Sequence, residues 1–249
     1  MAGHSQFKNI MHRKGAQDAK RAKVFAKHSR ELTVASKAGG MDPGMNARLR
    51  TAISAARAVN MPNANIERAI KRGGEGGEGT DFVEVRYEGY GLNGVAVIVE
   101  ALTDNRNRTA SEVRAAFTKH GGSLGETGSV SFLFERVGFV EYPSDAATSE
   151  EIFEAALDAG ATDVESSSEG HEIRSDTADF NQVREMLEER FGAAGSSGLR
   201  WIPQTTVSLD EESARSLLRM VELLEESDDV QSVHANFEVS GEVMEKLGS

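Results

Sequence analysis

The 249-residue chain has no cysteine, four prolines, one tryptophan and three tyrosines. Without cysteine there is no disulfide, no thiolate zinc site and no cysteine nucleophile, and the composition suits a reducing compartment. No apolar run approaches the ~20 residues of a membrane helix. The first residues, MAGHSQFKNIMHRK, lack the apolar core of a secretory signal. A cytoplasmic protein without a membrane partner is expected. The six histidines form no HxxxH or HExxH pair, and His4, His12 and His28 have no carboxylates at ligand spacing, so no metal is expected. His171 falls in a strand pattern. The many acids include no recognisable nucleophile–base pair, which argues against a hydrolase. Gly89, Gly91 and Gly94 in GYGLNG make a formal GxGxxG. A dinucleotide site needs that pattern to open a helix, whereas here a second strand follows. It reads as a hairpin turn, and no cofactor is expected.

What the chain does have is charge, unevenly spread. Its formal net charge is −12, yet residues 1–80 hold 15 Lys and Arg against 6 Asp and Glu, while residues 81–249 hold 13 against 34. A basic module joined to acidic ones fits this better than one uniform surface. The alternative is that both are solvated faces with no partner.

The sign changes near GGEGGEGT (73–80), which reads as a flexible Gly-rich linker. Before it, three helices are expected. The first runs from Gln17 to Ala38, with Val24, Phe25, Leu32 and Ala35 inward. Lys20, Lys23, Lys27, Arg30 and Lys37 lie within one arc of about 100°. The second opens at Asp42-Pro43 and turns Leu49, Ile53 and Ala56 inward. The third starts near Asn63 and uses Ile66 and Ile70. After the linker the period becomes two. FVEVRYEGY, VAVIVEAL and VSFLFE (130–135) read as strands. Between the last two lies a helix, with Thr109 and Glu112 at capping-box spacing. From Gly138, strand GFVEY, helix 148–159 with a Thr148/Glu151 box, strands TDVES and HEIRS, helix 179–190 and strand LRWIPQ follow. That order, βαββαβ, is the ferredoxin-like plan. TTVSL, a helix from Asp210 to about Glu226 and VHANFEV are too few for another domain. They can complete the sheet begun at Phe82, which makes 138–205 an insertion. Trp201 reads as core. The acidic helices read as solvated faces.

Phosphate backbones attract Lys and Arg largely regardless of sequence. The candidate nucleic-acid contacts are therefore Lys8, Arg13, Lys14, Lys20, Lys23, Lys27 and Arg30, widened by Arg48, Arg50, Lys71 and Arg72. The loop DNRNRT adds Arg106 and Arg108, with Lys119 and His120 at the far end of the same helix. The competing reading is that Arg106 and Arg108 only pair with Asp104 and nearby acids.

Three long stretches, HSQFKNIMHRKGAQDAKRAKVFAK, NARLRTAISAARAVNMPNANIERAIKRG and YEGYGLNGVAVIVEALTDNRNRTASEVRAAFTKHGGSLGETGSVSFLFE, together resemble the YebC family. That family is also named for the mitochondrial translational activator of cytochrome c oxidase subunit I. The resemblance is close over residues 2–140 and extends by layout beyond. Departures are modest: Gln6-Phe7 stands where the family usually has Lys-Trp, Ala64 where it often has Asp, and GYGLNG for a GYGPGG-type turn. With Ala64, capping of the third helix would fall to Asn63.

The resemblance implies an α+β multidomain fold. A three-helix domain (1–72) would be followed, past the linker 73–80, by two α/β domains (81–137 with 206–249, and 138–205). The last would be ferredoxin-like and inserted in the second. It also implies a non-enzymatic regulator of gene expression. Members are labelled transcriptional regulators that bind DNA, and also translation factors that act on the ribosome where proline runs stall synthesis. The expected partners are the ribosome and ribosomal RNA, with duplex DNA as the alternative. The chain lacks a convincing helix-turn-helix and a long apolar seam for a dimer, so a monomer is expected.

Overall fold

A computed structural model describes residues 17–76 and 81–248. Three helices come first: α1 Gln17–Gly39, α2 Ala47–Ala58 and α3 Asn63–Gly74. Leu32, Ala35, Leu49, Ala52, Ala56, Ile66 and Ala69 are buried, so the inner surface is largely alanine and the helices sit close. Val24, expected inward, is 37% exposed. Thr33 Oγ1 donates to the Ala69 carbonyl and Ser36 Oγ to that of Ile70. Gly73, expected in the linker, is instead a buried residue of α3. A Cβ there would stand 2.2 Å from the Thr33 carbonyl oxygen, so the glycine permits the helix contact.

Helix starts differ from expectation. Asp42 does not open α2. Its carboxylate accepts from Gly44 N–H at 2.8 Å in an Asx turn. Asn46 caps α2 instead, accepting from Leu49 N–H while its amide donates to the carbonyls of Ala35 and Gly40. One buried side chain thus closes α1 and starts α2. Asn63 is not a cap either, because α3 begins directly after Pro62, whose carbonyl accepts from Asn65 and Ile66.

The first sheet runs β3-β1-β2-β9, with β1 Val83–Tyr90, β2 Ala96–Thr103, β3 Ser123–Leu124 and β9 Val230–Ala235, antiparallel throughout. GYGLNG is the β1–β2 turn, with Asn93 and Gly94 at positive φ. Helices α4 Arg106–Lys119 and α7 Glu211–Glu225 cover one face, burying Val97, Val99, Val113, Phe117, Leu217, Met220 and Val233. Asn105, not Thr109, caps α4. The stretch VHANFEV breaks at Asn236, whose side chain accepts from Ala96 N–H. The chain then continues as β10 Phe237–Val239, parallel to β8 Val207–Leu209, and as helix α8 Gly241–Gly248.

The second sheet runs β5-β6-β4-β7, from β4 Phe134–Tyr142, β5 Asp163–Ser167, β6 Gly170–Asp176 and β7 Ser196–Pro203. Helices α5 Ser149–Ala159 and α6 Phe180–Phe191 join them in βαββαβ order. The first strand lies beside the third and fourth, which is the ferredoxin-like arrangement. The Thr148/Glu151 capping box is formed. The core is Val140, Tyr142, Ile152, Ala156, Ile173, Phe180, Val183 and Leu187. All of β4–β7 precedes β9 in the chain, so this unit is inserted within the first sheet's sequence. Gln204 N–H donates to the Leu133 carbonyl at 2.9 Å and clips together the residues flanking the insertion. VSFLFE is not one strand. Ser131–Leu133 form a 3-10 turn, held by Glu88, before β4 begins at Phe134.

By compactness, the described residues 28–76 group with 136–201, and 17–27 with 81–135 and 202–248. Within the former, Arg184 is 2% exposed and donates to Thr51 Oγ1 of α2, and Arg50 pairs with Glu185 of α6 at 2.9 Å. Glu185, expected on a solvated face, therefore carries a specific contact. Trp201 is half-buried, with the Arg136 guanidinium 5.6 Å from its ring centroid.

Candidate nucleic-acid interface

Lys8, Arg13 and Lys14 lie outside the described residues. Lys20 falls in the first turn of α1, and its side chain is outside them too. The other candidate cations divide by what they already hold. Lys23 Nζ donates to the Glu226 carbonyl at 3.2 Å and Lys27 Nζ to that of Glu225 at 2.9 Å. Both meet the C-terminal end of α7, where unpaired carbonyls and the helix dipole attract cations. Arg30 is half-buried. Arg48 grips Glu31 through two bonds of 2.7 and 3.1 Å. Arg50 donates to the carbonyls of Pro43 and Gly44 besides pairing with Glu185. These arginines serve the fold around α2.

Lys71 and Arg72 project from the last turn of α3 and are exposed, Lys71 only 3.7 Å from Glu75, which is exposed too. Arg106 is exposed at the start of α4, where its backbone carbonyl accepts from Tyr87 Oη. Arg108 instead holds Asp104 at 2.9 Å and Asp229 at 2.7 Å, and these carboxylates raise its pKa. Asp229 is 3% exposed and also accepts from Thr103 and Thr109. The pairing expected for this loop is therefore present at Arg108, and through it the loop is tied to a buried carboxylate far along the chain.

Sequence reading missed Arg219. With Lys119, His120, Glu222, Leu223 and Glu226 it lines an open surface depression of about 400 Å³. Burial, then the charges of Lys119 and Arg219, push the His120 pKa below its ordinary value, which favours the neutral imidazole. Two carboxylates balance the two cations in this lining. No composition signal marked Arg219, because it sits in the acidic stretch.

The ferredoxin-like sheet offers little to nucleic acid. On the face away from Val140, Tyr142 and Ile173, the Arg200 guanidinium lies 3.4 Å from the Phe139 ring centroid and pairs with Glu141 and Glu172. Arg174 pairs with Asp163, Glu165 and Glu172. RNA-binding sheets of this topology use free aromatics there; here the ring is already covered and the acids outnumber the arginines. Among the described residues no group of three or more acids and histidines is placed to hold a metal, and no helix is long and apolar enough to cross a membrane.

Two family models match the chain. Residues 5–76 match the TACO1/YebC protein N-terminal domain, and residues 82–237 match the TACO1/YebC second and third domain, a model named for transcriptional regulation. Among solved structures, a conserved hypothetical protein of Aquifex aeolicus is similar, with 49% identity and a TM-score of 0.84, over 93% of this chain and 96% of that one. The two models together span nearly the whole chain, and the chain belongs to the TACO1/YebC family.

Proposed function

We propose that the protein is a non-enzymatic, nucleic-acid-binding regulator of gene expression, acting as a ribosome-associated translation factor that relieves stalling, such as at proline runs. The observation that carries this reading is the charge segregation: 15 cations against 6 acids before residue 81, and 13 against 34 after it. The basic module supplies phosphate contacts. The acidic remainder is repelled by nucleic acid in general, which restricts docking to sites that accept its shape or present basic protein.

Lys71, Arg72 and Arg106 are the described candidates best placed for this role, being exposed. Lys23 and Lys27 hold α7, so their substitution would confound binding with stability. The test is cosedimentation with ribosomes beside duplex-DNA binding over one salt series. Wild type is compared with Lys71→Glu/Arg72→Glu/Arg106→Glu. Expected are ribosome binding that survives physiological salt and a triple variant whose log K against log salt is shallower by about 2–3 units. Ribosome association unaffected by the substitutions would remove these residues from the interface. The label on the second family model favours a DNA-binding transcription regulator instead. Tight duplex binding without ribosome association would establish that reading in place of the first.

A further inference from the structure

Helix α5 carries Phe153 at 56% and Leu157 at 66% exposure, and among the described residues no other helix presents two large apolar side chains to solvent. Its core contact is made by Ile152, Ala155, Ala156 and Ala159, so the exposed pair lies beside that face and not on it. Four residues apart, Phe153 and Leu157 form one ridge. Glu150, Glu154 and Asp158 follow round the same side, within an arc of about 140° from Phe153, and all three are exposed. The helix has no lysine or arginine. The cations of α6 and β6, which pack against it, are engaged. Arg174 holds Asp163, Glu165 and Glu172, Arg184 is buried and donates to Thr51, and Arg190 lies over Phe191 and acts on Glu151.

Charge decides what this ridge fits. The three carboxylates repel nucleic acid and anionic membrane surfaces. A second copy docking by the same face would set the two groups of acids against each other. A basic protein is attracted, and the molecule holds a local version of that contact. The C-terminal end of α7, with Glu222, Glu225 and Glu226, receives Lys23 and Lys27 on its last carbonyls. The C-terminal end of α5 has the same negative pole, with Asp158 beside it and no basic residue in its last turn. An apolar patch edged by polar groups marks a protein contact, and anchors at i, i+4 are what packed helices offer each other. We propose that the Phe153–Leu157 ridge docks a basic amphipathic helix of a partner protein. Apolar side chains of that helix lie on the ridge, and its lysines or arginines meet Glu150, Glu154 and Asp158. This rests on the reading above, in which the acidic part of the chain meets basic protein, and names where it does so.

The test titrates a labelled synthetic peptide of leucine and lysine, with its leucines on one helical face, against the full chain by fluorescence polarisation at low and physiological salt. Two control peptides carry glutamate for every lysine, or the same residues scrambled so that no apolar face forms. Wild type is expected to bind the first peptide and neither control. Phe153→Ala/Leu157→Ala is expected to weaken that binding at least about tenfold, and Glu150→Gln/Glu154→Gln/Asp158→Asn to weaken it and flatten its salt dependence. Glu67→Gln/Glu126→Gln/Glu169→Gln, which removes as many exposed acids elsewhere, is expected to bind as wild type does. Thermal melts of the variants are expected to match wild type, because every substituted side chain is exposed. No binding by wild type, wild-type affinity in the alanine pair, equal binding of the scrambled peptide, or equal loss in the distant-acid variant overturns the proposal. So does a concentration-dependent dimer in sedimentation that the alanine pair abolishes, which would give the ridge to a second copy. The peptides contain no nucleic acid, so failure here leaves the ribosome and duplex test of the wider reading standing, and failure there leaves this result standing.

Discussion

Glu88 shows how much one buried side chain organises. Burial works to raise its pKa, but N–H groups of Val130, Gly128 and Ser131 and the Arg86 guanidinium outweigh burial, and the pKa lies below the ordinary 4.5. A folded value below the unfolded one means that the carboxylate's contribution is complete above pH 4.5 and is lost as pH falls through the lower folded value. Glu88→Gln is expected to cost about 1.5–3 kcal/mol at pH 7 in urea denaturation, with the gap to wild type closing in acid. A pH-independent gap would mean that the charge is not what matters. Little of this was legible locally, since Glu88 looks like the polar partner in an alternating strand. Thr109 makes the same point. It shares T-x-x-E spacing with Thr148, yet only Thr148 caps its helix. Asn105 already caps α4, and the Thr109 hydroxyl answers to Asp229, which no nearby pattern reveals.

At the scale of elements, the apolar periods placed most helices and strands, because burial acts on side chains at fixed spacing. What the periods did not give is where a polar face goes. Of the cationic face expected on α1, Lys23 and Lys27 end on the carbonyls that close α7. That end of α7 carries Glu222, Glu225 and Glu226, acids at the negative pole of the helix dipole, where cations are the favourable neighbours. Lys23→Ala/Lys27→Ala is expected to lower stability by about 1 kcal/mol at low salt, and by less at high salt. Thermal melts at two ionic strengths check this. Unchanged melts would mean that the two lysines are dispensable to the fold. Gly73 was likewise misplaced in a linker because composition registers glycine as flexibility, whereas here it serves close packing.

For the whole molecule, the βαββαβ order and the sign change in charge gave the layout, while the use of each surface emerged only in three dimensions. The ferredoxin-like sheet, whose topology suits RNA, is closed by its own ion pairs and by Arg200 on Phe139. The hydrogen bond from Gln204 to Leu133 carries a consequence for how the chain reaches this state. β2 and β9 are neighbours in the sheet but stand far apart in sequence, so pairing them carries a large loop-closure cost. Once residues 134–203 have folded on their own core, their ends are brought together and the distance that matters is much shorter. The insertion then acts as a folding intermediate's first unit, and late pairing of β9 becomes a local event. An isolated 134–203 fragment is expected to show its own cooperative thermal transition by circular dichroism. A fragment without one would place sheet formation ahead of the insertion and reverse the order of assembly.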